Sequence, residues 1–371
     1  MEKNNNNIIK NNNNNNYLVK KTRKSIKAMD VHKNGKYFVN FASFGAGAKN
    51  PNLNSHITDE FEKVLEFHQH EGNTFEAYAY RKAIAALKKY SKKIVTINDI
   101  PRLHGIGTKL KEKIKEILIT GKCKKSEYVE CDKKNKAIKE LMNVYGIGIK
   151  HAHEFYTKGI TSVQQLNEMK SSLPPNIQTG LKYYEDIQKK IPREEITEIF
   201  QLIKEELFQI LPKKIISCQV CGSYRRGKPL CGDMDVLITR QDNGQIDGIL
   251  PTLVERLMER KLIVEILSSS NKVKDENVNV FMGICVWKSG INRRIDIKVY
   301  NKQEYPFAVM YFTGSRYFNR SLRLFAKKIG FHLSDKELIN FRKGKRVYCK
   351  NEEEIFKVLG ISYKTPKQRD I

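Results

Sequence analysis

The chain has 371 residues, with 68 Lys and Arg against 41 Asp and Glu, which gives a formal net charge of +27 at pH 7. Its length allows two or three domains with a full core, and its positive excess favours a polyanionic partner, nucleic acid first of all. No apolar run in the sequence approaches the roughly 18 residues that cross a bilayer, so no membrane association is expected.

The N-terminal segment differs from the rest in composition. The first 16 residues contain ten Asn, a composition that cannot bury a core, and a disordered tail is therefore predicted over residues 1–55. A basic cluster within it, KKTRKSIK at residues 20–27, could serve as a nuclear import signal, as a nonspecific DNA-binding arm, or simply as a solvated run of charge.

From His56 to about residue 210 the sequence has helical periodicity. The stretch EAYAYRKAIAALKKY at residues 76–90 places Ala79, Ala83, Ala86 and Leu87 on one face. Beyond residue 210 the pattern changes to strands, in IISCQVCGS, MDVLITR, ERKLIVEIL, VNVFMGICVW and RRIDIKVY, with a helix at about 250–260. The sequence therefore predicts a helical N-terminal half and an α/β C-terminal half.

The helical half contains an internal repeat, LHGIGTKLKEKI from Leu103 and VYGIGIKHAHEF from Val144. In each copy G-I-G joins two helices; glycine permits the tight turn, and the N-terminus of the second helix can hold an anion such as a DNA phosphate. One copy could cap an ordinary helix pair, but two resemble helix–hairpin–helix DNA-binding motifs, which grip the backbone with little sequence specificity. The glycines are Gly105, Gly107, Gly146 and Gly148.

The helix after the first hairpin is a candidate for amine chemistry. Lys113 lies beside the apolar stripe of Leu110, Ile114 and Ile117, and Lys109 lies one turn before it. Partial desolvation and a neighbouring ammonium favour the neutral amine that a Schiff-base nucleophile requires. Phosphate binding by all of these lysines is the alternative, and the pattern alone favours it.

The α/β half carries three aspartates in predicted strands. Asp233 and Asp235 stand two apart, so their carboxylates point to the same face and need a cation between them. Asp296 lies in NRRIDIKVY, which alternates like a strand. An Asp pair with a third Asp from a neighbouring strand can hold two divalent ions, Mg²⁺ or Mn²⁺, as in a two-metal phosphoryl-transfer site.

The segment CGSYRRG at residues 221–227 favours phosphate binding. A strand runs into Gly222 and Ser223, and a turn then presents Arg225 and Arg226. Backbone N–H groups, a hydroxyl and a guanidinium together suit a triphosphate. An Asp turn with an unrelated third Asp is the alternative for the aspartates, and it would leave this segment unexplained.

These motifs stand in the order of a known family. G-S-x-R-R-G, G-D-M-D-V, R-R-I-D-I and YFTGSRYFNRSLR (residues 311–323) resemble family X DNA polymerases, notably the beta branch, with a thumb stretch nearer the lambda branch. The resemblance runs from about residue 56 to the C-terminus and includes both hairpins and IPREE at 191–195. It implies an α+β multidomain fold, in which helical lyase-like and helix–hairpin–helix domains precede a nucleotidyltransferase palm and a small α/β thumb.

The resemblance also implies domain limits and residue roles. After the tail, the expected domains are a lyase-like domain (56–128), a second helix–hairpin–helix subdomain (129–192), a palm (193–302) and a thumb (303–371). Asp233 and Asp235 would bind both divalent ions, and Asp296 would bind the catalytic ion. The expected nucleotide contacts are Arg193, Gly222, Ser223, Arg226, Gly232, Tyr311, Phe312, Gly314 and Asn319. The expected DNA contacts are the hairpin glycines, Tyr80, Lys109, Lys125, Arg294 and Arg323. Monovalent ions, Na⁺ or K⁺, would bind backbone carbonyls of Leu103, Ile106, Val144 and Ile147.

The resemblance gives Lys113 a role as well. It matches the family's Schiff-base nucleophile for removing a 5′-deoxyribose phosphate, surrounded by Tyr80, Lys109, Glu112 and Lys125. Phe75 and Glu76 replace a His-Lys pair of the beta branch, which puts the strength of a lyase step in doubt. Arg316 replaces an Asp beside the incoming base, a change that could tighten nucleotide binding at some loss of discrimination.

The expected function is short-gap filling by a DNA-directed DNA polymerase in base excision repair, with 5′-deoxyribose phosphate lyase activity. Its partners would be gapped or nicked DNA and deoxynucleoside triphosphates, it would act as a monomer, and it would be located in a eukaryotic nucleus or otherwise in a cytoplasm or virion. The alternatives are a template-independent nucleotidyltransferase, a polymerase without lyase activity, and a noncatalytic scaffold that uses the hairpins alone. The three aspartates argue against the scaffold.

Overall fold

The computed structural model describes residues 52–100, 103, 105–267 and 279–370. Their contacts divide the chain into a helical unit, which ends at Gln188, and a C-terminal unit, which begins at Lys189. The predicted tail, except for residues 52–55, and the basic cluster lie outside the described residues. No helix in the described ranges is both long and apolar enough to cross a membrane. The five predicted domain ranges stay predictions.

The helical unit consists of amphipathic helices packed around two cores. Of the predicted stripe, Ala83 and Leu87 are buried and Ala79 and Ala86 are half-buried. A second core forms around Ile138 and nearby apolar residues. The α-helices that the described residues form in this unit are α1 (Ser55–His70), α2 (Thr74–Lys89), α3 (Thr108–Thr120), α4 (Lys124–Cys131), α5 (Lys133–Met142), α6 (Ile149–Thr157), α7 (Val163–Glu168), α8 (Pro175–Lys182) and α9 (Tyr184–Gln188).

Both G-I-G segments form the same turn. The Ile106 N–H donates to the Leu103 carbonyl at 3.1 Å, and the Ile147 N–H donates to the Val144 carbonyl at 3.1 Å. The first glycine of each copy has a positive φ, +100° at residue 105 and +90° at residue 146, which favours glycine there. Helices α3 and α6 begin immediately after the second glycine, so the predicted repeat is a structural repeat.

The C-terminal unit is organised around a five-stranded sheet. Its helices are α10 (Arg193–Ile210), α11 (Gly222–Arg225), α12 (Ile249–Glu259), α13 (Tyr305–Thr313), α14 (Arg316–Lys328) and α15 (Glu352–Val358). Its strands are β1 (Ile191–Pro192), β2 (Ile216–Val220), β3 (Leu230–Cys231), β4 (Met234–Arg240), β5 (Ile263–Ile266), β6 (Val280–Val286), β7 (Asn292–Tyr300), β8 (Phe331–Leu333), β9 (Leu338–Asn340) and β10 (Lys345–Val347). The sheet order is β2–β4–β7–β6–β5, with β4 and β7 parallel and the other neighbours antiparallel.

Alternate residues of β4 and β7 serve opposite faces of this sheet. Val236, Ile238 and Ile297 belong to the main core, together with apolar residues of α10 and α12. Leu237 and Tyr300 belong to a smaller cluster with residues of α13 on the other face. Because side chains alternate along a strand, Asp235 and Asp296 lie on the face of α13, and the main core stays apolar.

The last part of the unit packs α13, α14 and α15 around the small sheet β10–β9–β8. Arg369 is fully buried there, with its guanidinium 5.6 Å from the ring centroid of Phe318 and 5.2 Å from that of Phe356. It donates to Glu352 at 2.6 Å, and Glu352 also accepts two hydrogen bonds from Arg225 on α11. This ionic chain ties the C-terminal segment to the turn that follows β2.

Candidate active site

The three predicted metal-binding aspartates come together on one face of the five-stranded sheet. Asp235 on β4 lies directly opposite Asp296 on β7 in the parallel register, and Asp233 stands just before β4. Neighbouring strands are about 4.8 Å apart, so the carboxylates of Asp235 and Asp296 lie side by side on the same face of the sheet. Their side chains are only 17% and 11% exposed.

Two basic side chains of β7 neutralise the charge of the three carboxylates in part. Lys298 Nζ lies 3.2 Å from Asp235 Oδ1 and 3.2 Å from Asp296 Oδ2. Arg294 forms an ion pair with Asp233, and its Nε lies 3.5 Å from Asp296 Oδ1. Lys298 is therefore a buried cation between the strands, a residue that we did not predict from the sequence.

Burial perturbs the Asp235 carboxylate strongly. Desolvation raises its pKa from 3.8 to about 6; the charges of Asp233 and Asp296 act in the same direction, and Lys298 opposes them. Because burial penalises only the ionised form, any cation that stabilises this carboxylate lowers its pKa again. Binding of such a cation below about pH 6 therefore releases a proton.

The carboxylate oxygens suit a hard divalent ion. Asp296 Oδ1 is buried and accepts no hydrogen bond from any described residue, which leaves an anionic oxygen for a ligand. Among the described residues, no group of three or more acidic, His or Cys side chains is already arranged to hold a metal ion, and Asp233 is paired with Arg294. A divalent ion would have to compete with Arg294 for Asp233.

A cavity of about 320 Å³ opens beside the carboxylates. Seven of the nine predicted nucleotide contacts line it, together with two of the three aspartates. Their roles stay predictions, but the fold gathers them in one place. The lining residues are Gly222, Ser223, Arg226, Asp233, Asp235, Tyr311, Phe312, Gly314, Arg316, Asn319 and Arg323.

Two glycines hold the walls of this cavity close together. Gly222 has a φ of +58°, and a Cβ there would lie 3.0 Å from Asp235 Oδ2. Gly314 has a φ of +67°, and a Cβ there would lie 3.3 Å from Arg226 Nη1. A larger residue at either position would be strained and would crowd a charged group.

Arg226 is held from two sides. Its Nη1 donates to the Thr313 carbonyl at 2.8 Å, and its Nε donates to Asp370 Oδ1 at 3.0 Å. Lys228 also forms an ion pair with Asp370. Burial acts against ionisation of Asp370, but hydrogen bonds from Lys228 and Arg226 outweigh it and hold the pKa of Asp370 below its usual value. No sequence pattern indicated this partner for Arg226.

Two predicted nucleotide contacts, Arg193 and Gly232, do not line the cavity. Arg193 donates to the Tyr224 carbonyl, and its guanidinium lies 3.9 Å from the Tyr224 ring centroid. Gly232 is exposed, and a Cβ there would lie 3.6 Å from Lys190 Nζ. Their contacts with a nucleotide stay predictions.

An aromatic pair connects the carboxylates to the predicted template side. The rings of Tyr311 and Phe312 have centroids 5.0 Å apart. Lys298 Nζ lies 4.6 Å from the Phe312 centroid, and Arg323 lies 5.5 Å from the Tyr311 centroid. Asn319 donates to the Tyr311 carbonyl. The two rings therefore lie between Lys298, next to the carboxylates, and Arg323 on the predicted template side.

The helical unit holds a second group of candidate residues around His68. Its ring stacks on the buried Tyr80 with centroids 5.7 Å apart. Burial and then the charge of Lys125 lower the pKa of His68; Glu76 opposes them, and Lys113 adds to the lowering. Lys113 and Lys125 thus lie near this ring, although the sequence did not indicate His68.

The other residues of this group are less enclosed. Lys109 is exposed on the first turn of α3, and Glu112 forms an ion pair with Lys115 at 2.9 Å. Lys125 Nζ lies 4.6 Å from the Phe67 ring centroid. Phe75 is 79% exposed, so an apolar ring stands on the surface at one of the two positions where the resemblance implies a His-Lys pair.

Four family models match consecutive parts of the chain. They are a helix–hairpin–helix domain over 52–123, the fingers domain of DNA polymerase lambda over 139–188, the DNA polymerase beta palm over 190–302 and the DNA polymerase beta thumb over 308–370. Their order is the one that the motifs indicated.

Two curated relatives are similar to most of the chain. A DNA polymerase lambda of Arabidopsis thaliana is 34% identical over 337 residues, which are 87% of this chain and 63% of the relative. A DNA polymerase lambda of Rattus norvegicus is 32% identical over 335 residues, 87% of this chain and 57% of the relative. The chain thus spans about three fifths of the length of these relatives. These matches agree with the carboxylate site, the paired hairpins and the order of the matched domains. The chain therefore belongs to family X of the DNA polymerases.

Proposed function

We propose that the chain is a DNA-directed DNA polymerase that fills short gaps during base excision repair by two-metal nucleotidyl transfer. The observation that carries this proposal is the in-register pair of Asp235 and Asp296 beside a cavity lined by Arg226 and Tyr311. Matches to DNA polymerase lambda in two organisms support it.

The carboxylates would hold two Mg²⁺ or Mn²⁺ ions, which when bound supply Lewis-acid activation of the primer hydroxyl and neutralise charge on the triphosphate. Asp296 is the most buried of the three aspartates, and its carboxylate would hold the catalytic ion next to the primer end. Arg294 would leave Asp233 as that carboxylate turned to its ligand. Lys298 would remain with the other two carboxylates and limit their mutual repulsion.

The nucleotide would bind by its triphosphate on one wall of the cavity. Ser223 offers a hydroxyl, and Arg226 presents a guanidinium whose Nη1 and Nε are already fixed by Thr313 and Asp370. Because the side chain is oriented in advance, less entropy is lost when phosphate binds. Tyr311, with Phe312 and Gly314, would form the opposite wall against the sugar.

A test with three DNA substrates examines this function. We expect Asp296→Asn to abolish nucleotide addition at a one-nucleotide gap, while binding of gapped DNA changes little because the hairpins and basic surface carry the affinity. The exposed Asp247→Asn is the matched control and should keep full activity. A template-directed enzyme would be contradicted if the wild-type protein extended single-stranded DNA as efficiently as it extends gapped and primed templates. Equal loss of binding and addition in Asp296→Asn would contradict the assigned role.

We further propose a 5′-deoxyribose phosphate lyase step at Lys113. Its amine would attack the sugar C1′ aldehyde with loss of water to give an imine. Loss of a C2′ proton to water and cleavage of the C3′–O bond would then release the DNA with its 5′-phosphate, and hydrolysis of the remaining imine would free the lysine. The nearby ammonium of Lys125, the buried Tyr80 and the half-buried His68 support a partly desolvated site there.

Borohydride trapping tests this step. Reduction of the imine should join wild-type protein covalently to DNA carrying a 5′-deoxyribose phosphate. Lys113→Ala should lose most of this product while gap filling persists, and Lys115→Ala on the same helix should trap normally. Undiminished trapping by Lys113→Ala would assign the chemistry to another lysine, and no trapping by wild-type protein would leave a polymerase without lyase activity.

A further inference from the structure

The outer face of the small sheet β8–β9–β10 carries side chains that packing does not explain. Register pairs His332 with Ile339 and Ile339 with Arg346, so these three side chains form a row across the strands. The next row, which includes Leu333 and Leu338, is buried in the core below. Because side chains alternate in a strand, the first row faces outward.

Two exposed aromatic rings flank this row, one on each side of it along the strands. Phe341 is 58% exposed, with its ring centroid 6.2 Å from that of His332. Tyr348 is 65% exposed, with the guanidinium of Arg346 5.9 Å from its ring centroid. Phe341 lies at the level of Gly330, to whose carbonyl its N–H donates, and Tyr348 lies beyond the opposite end of β8. Four residue steps along a strand separate them by roughly 13 Å.

The charge of this region is strongly positive. Residues 336–350 contain six Lys and Arg and a single acidic residue, Glu337. Arg342, Lys343 and Lys345, in and beside the β9–β10 turn, are exposed. Two carboxylates face Arg346, Glu337 at 3.7 Å and Glu304 at 3.9 Å. These two carboxylates are paired with Arg346, so the β9–β10 turn keeps its positive charge.

One end of the face adjoins the cavity. In the β8–β9 turn, Asp335 accepts a hydrogen bond from the Tyr300 hydroxyl at 2.7 Å. Ser334 in the same turn lines a small recess together with Tyr311 and Arg323. A strand that leaves the cavity past Arg323 would therefore meet Tyr348 first and Phe341 next.

We propose that this outer face binds the unpaired template strand ahead of the primer end, with bases stacked on Tyr348 and Phe341 and phosphates held by Arg342 and Lys343. Exposed rings can stack on bases only where these are unpaired, and cations at the rim attract the backbone. The spacing of the rings suits two or three nucleotides. The proposal rests on the proposed function only in taking a DNA template as the occupant.

The other candidate occupants fit less well. The basic cluster at residues 20–27 has the same sign of charge as the face. Intact duplex offers phosphates but no accessible base faces, so it would leave both rings unused. Charge complementarity and the rings together favour single-stranded DNA.

Fluorescence anisotropy with a labelled oligo-dT of about twelve nucleotides tests the proposal, since such a probe binds through stacking and charge alone. We expect the double variant Phe341→Ala/Tyr348→Ala to bind about fivefold or more weakly. Phe341→Tyr/Tyr348→Phe keeps both rings and should bind like wild type. Arg342→Gln/Lys343→Gln should weaken binding and reduce the salt dependence by about 0.7 in log–log slope for each phosphate that is no longer neutralised. The matched control Lys213→Gln/Lys214→Gln, which removes two exposed charges elsewhere in the unit, should change binding less.

Gap filling separates this inference from the proposed function. Phe341→Ala/Tyr348→Ala and Arg342→Gln/Lys343→Gln should each fill a one-nucleotide gap like wild type, because no template is unpaired beyond the gap. Each should extend poorly on a long single-stranded template. Oligo-dT binding and long-template extension at wild-type level in the alanine double variant would overturn the proposal, as would an equal loss in the Lys213 and Lys214 control. A wild-type protein that binds oligo-dT through this face but fills no gap would instead count against the polymerase function.

Discussion

Replacing Asp235 by Asn should make the metal-free protein more stable while removing its activity. Burial raises the pKa of Asp235 to about 6 from an ordinary value of 3.8. Between these values the folded protein binds a proton that the unfolded chain has lost. The stability associated with the protonated form is therefore complete below about pH 4 and is lost as pH rises through 6.

The size of the effect follows from the shift. A difference of about two pKa units corresponds to about 3 kcal/mol of destabilisation once the carboxylate is ionised. Asn resembles the protonated carboxyl in shape and charge. Its substitution leaves Lys298 paired with Asp296 at 3.2 Å, so no buried ammonium is abandoned. We expect the free energy of unfolding to rise by up to about 3 kcal/mol at pH 7.5, and the gain to shrink towards pH 5.

Denaturation in EDTA, followed by tryptophan fluorescence, measures the stability of the C-terminal unit, which contains Asp235. Trp287 is the single tryptophan of the chain, and its Nε1 donates to Glu198 on α10 at 2.7 Å, so its emission reports unfolding of the C-terminal unit. Asp242→Asn is the control of opposite sign, because hydrogen bonds from Arg240 hold the pKa of Asp242 at about 2. That substitution should bring no gain at pH 7.5. An unchanged or lower stability of Asp235→Asn, or a gain independent of pH, would refute the reasoning.

Two further substitutions test the packing of each unit. Arg369→Met should destabilise the C-terminal unit by about 3 kcal/mol in urea denaturation, because it removes one partner of the buried Glu352; an unchanged midpoint would show that Arg225 alone satisfies that carboxylate. Gly180→Ala should lower the free energy of unfolding of the helical unit by about 1–3 kcal/mol in thermal denaturation, since its Cβ would clash with the Tyr145 carbonyl oxygen. In the control Gly148→Ala the Cβ meets no atom within 4 Å, so the loss of stability should be smaller.

Local sequence pattern predicted the strands β4 and β7, and the structure brings the aspartates of these strands together. Because side chains alternate along a strand, the strand predicted for MDVLITR already placed Asp235 on the face opposite Val236. The same alternation places residues 294, 296 and 298 of β7 on one face, so Lys298 could have been found from the sequence. We instead assigned the required positive charge to metal ions alone.

Pairing between distant segments could not be predicted in this way. Arg226 and Asp370 are 144 positions apart, and Arg225 and Glu352 are 127 positions apart. No periodicity connects such residues, because each contact depends on how α13, α14 and the C-terminal segment fold back on the turn after β2. For the same reason the position of Arg193 against Tyr224 was not foreseen.

The charges around the three aspartates explain how the site can exist before any ion binds. Three carboxylates face the two cations Arg294 and Lys298, which leaves one net negative charge when all are ionised. The raised pKa of Asp235 allows a proton to cancel that charge below about pH 6. The fold therefore tolerates the cluster at a modest cost, yet it retains a negative potential that attracts cations at neutral pH. Because Arg294 is half-exposed and Lys298 is buried, the arginine is the partner that can move aside while the lysine preserves the balance within the sheet.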